Sequence, residues 1–209
     1  VALARAFDGE IINADSMQIY KNLDVGTAKP SAEERQGIPH YLLDFLSPET
    51  PYSVADFTAA ADPLIRDITA RGRLPLVVGG TGLYIELLLS GGPAPSAPAD
   101  AGIREKYFAF ARREGNEALW ARLRALDPET AAAVHPNNVK RVVRALEIYE
   151  LTGRTKSEQD RAGTFAEPLF DPFVVRLGGP REVIYARIDR RFDQMLGLGL
   201  LDEVRALYG

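Results

Sequence analysis

Unbroken apolar runs, separated by polar and helical stretches, recur along the chain and predict a sheet. Residues 10–14 and 73–80 are the clearest of these runs, and residues 40–45 and 173–177 are two further candidates. Strands covered on both faces are apolar throughout, whereas strands with one solvated face alternate. The pattern therefore predicts a parallel sheet buried on both sides, to which the run at 173–177 returns late in the chain.

Helical patterns flank these runs. Residues 1–7 have the composition of the last turns of a helix, with Gly9 as the left-handed residue that ends it. Ser53 and Asp56 have the spacing of a capping box, which predicts a helix that begins there and is kinked or broken at Pro63. Helices that alternate with apolar strands predict an α/β fold.

A stretch rich in Gly and Pro, residues 91–98, interrupts this alternation and is typical of a linker. The segment that follows it is charged and helical. We therefore divide the chain into a core formed by residues 1–97 and 137–209 and a small helical insertion formed by residues 98–136. A long amphipathic helix is predicted at 181–196.

The composition of the 209-residue chain is that of a folded globular protein, with 46% apolar and 26% charged residues. The lack of cysteine excludes disulfides and thiolate zinc sites. No apolar run in the sequence reaches the roughly 20 residues that span a bilayer. The formal net charge is −4, so any surface that binds nucleic acid must be a local one.

Two candidate chemical groups follow the two clearest strands. Asp15 comes directly after the first, and Thr81 follows the second in a glycine turn. In an open parallel sheet, ligands bind outside the carboxyl ends of the strands, so both side chains are predicted to face one crevice. The alternative is that Asp15, assisted by Ser16, caps a following helix.

Three arginines lie on the predicted helix at 181–196. Arg187 is three and four residues from Arg190 and Arg191, which makes it a neighbour of both on the helix surface. A planar guanidinium matches phosphate oxygens, so the group could clamp a pyrophosphate. The alternative is a solvated face on which Asp189 and Asp193 are ion-pair partners.

Two helical segments are basic in an otherwise acidic chain. Residues 139–156 contain five basic and two acidic residues, and residues 104–124 contain six and three, so each has a net charge of +3. Such segments are often solvated faces, but two of them make a polyanionic partner plausible.

The motifs occur in the order found in one protein family and cover nearly the whole chain. They are DSMQIY (15–20), DVGTAKP (24–30), PH (39–40), YSVADF (52–57), VGGTGLY (78–84), HPN (135–137), RVVRALE (141–147) and RID (187–189) with Arg191. Together they resemble the tRNA dimethylallyltransferase family, which isopentenylates an adenine next to the anticodon. The resemblance implies a core similar to P-loop NTPases that uses dimethylallyl pyrophosphate instead of ATP.

The resemblance also implies roles for individual residues. Asp15 looks like the general base that takes a proton from the adenine amine, and Thr81 like a residue that hydrogen-bonds near this amine and the pyrophosphate. Arg191, with Arg187 second, resembles the contact to the leaving group. The implied tRNA contacts are Asp15, Ser16, Met17, Gln18, Thr81, Arg104, Lys140, Arg141, Val142, Val143 and Arg144. The insertion would grip the anticodon stem.

The resemblance implies further parts that this sequence does not contain. A phosphate loop of the form G-P-T-x-x-G-K-[ST] is expected before Val1, and further tRNA-contacting segments are expected after Gly209. The lysine and hydroxyl of that loop would hold the pyrophosphate and Mg²⁺, so the expected metal has no ligand here and the segment alone is expected to lack part of the site. The whole enzyme is expected to be a cytoplasmic monomer with no membrane partner.

Three other interpretations stay open. An adenylate isopentenyltransferase would prenylate a free nucleotide and would need no insertion, so residues 98–136 argue against it. A P-loop small-molecule kinase would transfer phosphate from ATP. A non-catalytic RNA-binding module would bind the anticodon stem-loop without prenyl transfer.

Overall fold

The computed structural model describes residues 1–91, 99–163 and 170–208. It has an α/β fold, as predicted, with a parallel sheet of three strands. The chain forms two compact units, Val1–Leu89 with Leu169–Gly209, and Ser90–Pro168. None of the helices in the described ranges is both long and apolar enough to cross a membrane.

The sheet of the first unit has the strand order β2-β1-β3. The strands are β1 (Gly9–Asn13), β2 (His40–Tyr41) and β3 (Leu74–Val78). All five residues of β1 are buried, since β1 is the central strand and helices pack against it. β3 is only partly buried, with Leu74 and Val78 exposed, so the prediction of burial on both faces holds for β1 and is wrong for β3.

Two other sequence predictions about the sheet need correction. The candidate strand at 40–45 ends after Tyr41, because Leu42 and Asp44 have positive φ angles of 54° and 56° and cannot continue an extended chain. Residues 173–177 form no strand, and the side chains of Phe173 and Leu177 are 94% and 92% exposed. Apolar composition is not sufficient for a strand, which needs a neighbour for its backbone hydrogen bonds.

The turn between the first helix and β1 also differs from the prediction. Helix α1 spans Ala2–Ala6, and the left-handed residue after it is Asp8, with φ of 47°. Gly9 instead begins the strand. A Cβ at this position would lie 2.8 Å from the Leu74 carbonyl oxygen, so Gly9 allows β1 and β3 to approach each other.

In its described residues, the first unit has five further helices. They are α2 (Ala32–Arg35), α3 (Val54–Ala70), α4 (Gly82–Ser90), α10 (Arg181–Gly197) and α11 (Leu200–Tyr208). Helix α3 has both hydrogen bonds of the predicted capping box between Ser53 and Asp56, and it continues through Pro63 without a break. Its buried residues Phe57 and Ile65 pack in one core with Ile12 of β1.

The second unit is helical, with α5 (Ala101–Glu114), α6 (Asn116–Leu126), α7 (Pro128–Ala133), α8 (Val139–Thr152) and α9 (Lys156–Gly163). Its boundaries, Ser90–Pro168, are wider than the predicted insertion at 98–136. The reason is that α8 turns its apolar face to the insertion: Val142, Val143 and Leu146 are buried with Leu119 and Leu123 of α6.

Candidate active site at the strand ends

The carboxyl ends of β1 and β3 lie side by side, as the sequence predicts. The Ala14 amide donates to the Val78 carbonyl (2.8 Å), and the Thr81 amide donates back to the Ala14 carbonyl (3.2 Å). A Cβ on Gly79 would lie 2.3 Å from both the carbonyl carbon and the carbonyl oxygen of Ala14. Only glycine fits where the chain passes this close to Ala14. Gly79 therefore allows the segment that contains Thr81 to lie against the end of β1.

Thr81 fixes the residue next to Asp15. Its Oγ1 accepts a hydrogen bond from the Ser16 amide (2.9 Å) and donates one to Ser16 Oγ (3.2 Å). These bonds join two loops that are 65 residues apart in the sequence. A carboxylate and two hydroxyls therefore share one edge of the sheet.

Asp15 is half-buried and caps a turn, not a helix. Its Oδ1 accepts hydrogen bonds from the amides of Met17 (2.8 Å) and Gln18 (3.3 Å), and residues 16–19 form a turn. Within the described part of the chain, Oδ2 accepts no hydrogen bond. The capping interpretation thus accounts for Oδ1 and leaves Oδ2 without a hydrogen-bond donor among the described residues.

Asn13, which the sequence reasoning did not single out, stabilises this turn through hydrogen bonds. Its side-chain amide donates to the carbonyls of Leu42 (2.9 Å) and Asp15 (3.3 Å). Asn13 is 5% exposed, and a buried amide side chain normally needs such partners. The signal in the sequence was a polar residue at the end of an apolar strand.

Aromatic side chains lie close to the strand ends. The rings of Phe57 and Tyr84 are stacked with centroids 4.4 Å apart. Burial, followed by the negative charges of Tyr20, Asp56 and Asp15, raises the pKa of Tyr84. Burial likewise raises the pKa of Tyr52 to about 12, and the Tyr52 hydroxyl has no hydrogen-bond partner among the described residues.

Arg187 and Arg191 line a groove in the same unit, and Asp15 and Thr81 are not among its lining residues. The groove has a volume of about 620 Å³, lies at the start of α10 and is also lined by Leu177, Gly178, Gly179, Pro180, Val183, Ile184 and Ile188. Arg190 does not line it. Both arginines are exposed, as the solvated-face alternative expects, but neither forms an ion pair with Asp189 or Asp193 among the described residues.

A model of the family described as IPP transferase matches residues 18–209. The chain belongs to the IPP transferase family. The tRNA dimethylallyltransferase of Geobacillus thermodenitrificans is 49% identical over 208 residues, which are 100% of this chain and 66% of that protein.

Solved structures of IPP transferases resemble the fold as well. The tRNA isopentenylpyrophosphate transferase of Bacillus halodurans has a TM-score of 0.64 at 44% identity, and the match covers 99% of this chain and 64% of that one. A eukaryotic dimethylallyltransferase described as acting on tRNA has a TM-score of 0.76 at 33% identity, with coverages of 99% and 51%. The chain thus spans about two thirds or less of the relatives it matches.

In this member of the IPP transferase family, two of the predicted tRNA contacts in the second unit are paired with a buried carboxylate. Arg104 and Arg144 bond Glu147, which is 0% exposed, at 2.9 and 2.7 Å. Burial opposes the charge of Glu147, but Arg144, the Asp100 amide and Arg104 together hold the pKa of this carboxyl below its usual value. Arg104 and Arg144 therefore have a structural partner of their own.

The remaining predicted contacts of this unit are of two kinds. Lys140 and Arg141 are exposed at the start of α8. Val142 and Val143 are 0% and 1% exposed in the core of the unit, so the prediction that they contact tRNA is corrected for their side chains. Their place in RVVR follows from packing: the two valines point inward and the basic residues outward.

The described residues contain no group of three or more His, Cys, Asp or Glu side chains that could hold a metal ion. At the strand ends, the hydroxyls of Ser16 and Thr81 lie beside Asp15. One carboxylate and two hydroxyls would need phosphate and water oxygens beside them to hold Mg²⁺, so the expected Mg²⁺ stays a prediction.

Proposed function

We propose that the protein to which this chain belongs transfers a dimethylallyl group from dimethylallyl pyrophosphate to the exocyclic N6 of an adenine adjacent to the anticodon of a tRNA. One observation supports this most directly: a carboxylate with a free oxygen and a hydroxyl lie at adjacent strand ends. Membership of the IPP transferase family supplies the reaction type.

In this proposal Asp15 is the general base. As N6 attacks the first carbon of the allyl group, the bond from that carbon to the pyrophosphate oxygen breaks, and the N6 proton passes to Asp15 Oδ2. The adenine amine is a poor nucleophile, and loss of its proton during attack contributes an effect of about 10²–10⁴-fold. Oδ1 stays on the turn amides and keeps the carboxylate oriented.

Thr81 and the arginines act on the other groups. Thr81 Oγ1 lies beside Ser16 and is proposed to hydrogen-bond near the reacting amine. Arg191, with Arg187, is proposed to neutralise the departing pyrophosphate, and the apolar side chains of their groove suit a prenyl chain. Capture of the leaving group's charge stabilises the transition state more than the substrate.

Each unit contains residues that are proposed to contact tRNA. In the first, Asp15, Ser16, Met17, Gln18 and Thr81 are the proposed contacts to the target base and its neighbours. In the second, Lys140 and Arg141 are the exposed cations, while Arg104 and Arg144 contribute from their ion pairs with Glu147. The base must leave its stack to reach Asp15, as base-modifying enzymes require.

The direct test is to incubate the intact protein with dimethylallyl pyrophosphate and an anticodon stem-loop RNA, and to analyse the digested nucleosides by mass spectrometry. Prenylated adenosine from the loop is the expected product. Prenylated AMP without prenylated RNA would identify an adenylate isopentenyltransferase, and phosphate transfer from ATP to a small molecule would identify a kinase. RNA binding with no prenyl transfer would indicate a binding module.

A further inference from the structure

A carboxylate near the end of the chain holds a loop close to Asp15. Glu203 of α11 accepts hydrogen bonds from three successive backbone amides, those of Asp24 (2.6 Å), Val25 (2.7 Å) and Gly26 (2.9 Å). Successive amides that point to one anion form a strong local site for negative charge. Burial opposes this charge, but the three amides hold the pKa of Glu203 below its usual value.

The packing of α11 against this loop is close. A Cβ on Gly26 would lie 3.1 Å from Leu200 Cδ1 and 3.2 Å from Glu203 Oε1. A glycine at this position therefore lets the helix approach the loop amides. The contact between α11 and the loop therefore depends on close packing at Gly26 as well as on the charge of Glu203.

The same loop holds Gln18. The Gln18 side-chain amide donates to the carbonyls of Thr27 (3.0 Å) and Ala28 (3.2 Å), while its backbone amide donates to Asp15 Oδ1 (3.3 Å). At the far end of the loop, Lys29 Nζ donates a hydrogen bond to the Tyr20 carbonyl (2.6 Å), and the Lys29 side chain is only 6% exposed. Gln18 is thus linked both to the loop that Glu203 holds and to the proposed base.

We propose that Glu203 is a positioning residue for the tRNA substrate: it fixes the loop of residues 24–30, whose carbonyls then fix the amide of Gln18 beside Asp15. The inference rests on the proposed function. It assigns to a residue of α11, nearly 180 positions from the loop, a part in presenting the target base. Glu203 itself touches neither the substrate nor the reacting atoms.

The test is a double-mutant cycle between Glu203→Gln and Gln18→Ala in the intact protein. The glutamine is of equal size, but it has no charge and its NH₂ group cannot accept from an amide. We expect Glu203→Gln to raise the KM for tRNA about tenfold, which is about 1.4 kcal/mol. The kcat and the KM for dimethylallyl pyrophosphate should change by less than about twofold, because neither Asp15 nor the groove arginines bond Glu203.

The decisive result concerns additivity. If Glu203 acts through Gln18, the Glu203→Gln substitution changes little in a protein that already carries Gln18→Ala. Asp202→Asn is the matched control, because Asp202 lies on the same helix, is exposed and bonds Arg205. The control should leave all three constants unchanged. Additive effects of the two substitutions on the KM for tRNA would overturn the inference. So would a fall in kcat accompanied by equal increases in both KM values.

Hydrogen–deuterium exchange supplies a measurement that does not depend on the reaction. The amides of residues 24–26 should exchange faster in Glu203→Gln than in the wild type, whereas Asp202→Asn should not change them. Unchanged exchange in Glu203→Gln would contradict the proposal. If the wild type transfers no prenyl group, the proposed function fails. The same double-mutant cycle is then measured with the Kd for the stem-loop RNA. Additive effects of Glu203→Gln and Gln18→Ala on this Kd would again overturn the inference.

Discussion

Gly79 crosses the end of β1 so closely to Ala14 that a side chain of any size would overlap the Ala14 carbonyl group. The next residues, Gly80 and Thr81, continue from this crossing, and the Thr81 amide bonds the same carbonyl. The position of the Thr81 hydroxyl next to Ser16 is thus set by a glycine that carries no chemistry itself.

The first prediction concerns this crossing. Gly79→Ala should lower the free energy of unfolding by about 2–3 kcal/mol, because a Cβ would lie 2.3 Å from two Ala14 atoms and the strand ends must separate. Gly80→Ala is the matched control, since a Cβ there meets no atom within 4 Å. Urea unfolding of both variants checks the prediction, and equal stabilities would refute it.

The second prediction separates the two roles of Asp15. Asp15→Asn keeps an oxygen for the amides of Met17 and Gln18 but cannot take a proton at neutral pH. We expect kcat for prenyl transfer to fall about 10²–10⁴-fold while the affinity for tRNA stays within about twofold. Asp15→Ala removes the turn cap as well and should in addition lower stability by about 1 kcal/mol.

Single-turnover rates and RNA-binding assays measure the two effects of the Asp15 variants separately. Asp62→Asn, a change at an exposed ion pair on α3, serves as the control for loss of a surface carboxylate. A fully active Asp15→Asn enzyme, or parallel losses in rate and in RNA affinity, would show that Asp15 is not the base.

The third prediction concerns the groove at the start of α10. Arg191→Ala should lower kcat about 10²-fold if its guanidinium stabilises the leaving pyrophosphate, and Arg191→Lys should restore only part of the rate, because an ammonium lacks the planar fork. Arg190→Ala, next in sequence but outside the groove, is the control. Steady-state kinetics with varied dimethylallyl pyrophosphate measures the effect. Equal losses at 190 and 191 would contradict the assignment.

The fourth prediction distinguishes the exposed cations Lys140 and Arg141 from Arg104 and Arg144, which are paired with Glu147. Lys140→Ala and Arg141→Ala should weaken tRNA binding and reduce its salt slope by about 1 each, without loss of stability. Arg104→Ala and Arg144→Ala should weaken binding and also lower the free energy of unfolding by about 1.5–3 kcal/mol, since each removes a hydrogen bond to the buried Glu147 carboxylate.

Binding isotherms at several salt concentrations, together with thermal unfolding, check this division of the basic residues. The exposed Arg66 of α3, paired with Asp62, provides the control variant Arg66→Ala. A salt slope that is unchanged in Arg141→Ala would argue against an RNA contact at the start of α8.

The fifth prediction is a pH dependence of stability that originates at Glu10. Arg71 bonds this carboxylate at 2.5 and 2.8 Å, Arg73 at 2.8 Å and the Tyr41 hydroxyl at 2.7 Å. Hydrogen bonds from Arg71 hold the pKa of Glu10 well below its usual value; those from Arg73 and Tyr41 lower it further, and burial opposes them.

Because the folded-state pKa of Glu10 is depressed, the stabilisation is fully present above the unfolded-state value of about 4.3 and is lost as the pH falls through the folded-state value. Glu10→Gln should therefore be less stable than the wild type at pH 7, with a smaller loss of stability below about pH 4. Urea unfolding from pH 7 to pH 3 tests this, with exposed Glu49→Gln as the control. Parallel stability curves for Glu10→Gln and the wild type would exclude Glu10 as the source.

The sequence by itself determined the α/β class, the capping box of α3 and the juxtaposition of the segments that carry Asp15 and Thr81. These features depend on local signals, or on the rule that parallel strands end at one edge of a sheet. The family motifs added the expected reaction, which no local pattern specifies.

Only the tertiary structure decided which polar groups support the site. The amides of residues 24–26 donate to Glu203, and Arg104 donates to Glu147, across long separations in the sequence. The three amide donors are backbone groups that every residue type except proline supplies. The exposure of residues 173–177 was undetermined for the same reason. Local composition fixes what a segment favours, whereas its hydrogen-bond and packing partners depend on where the rest of the chain lies.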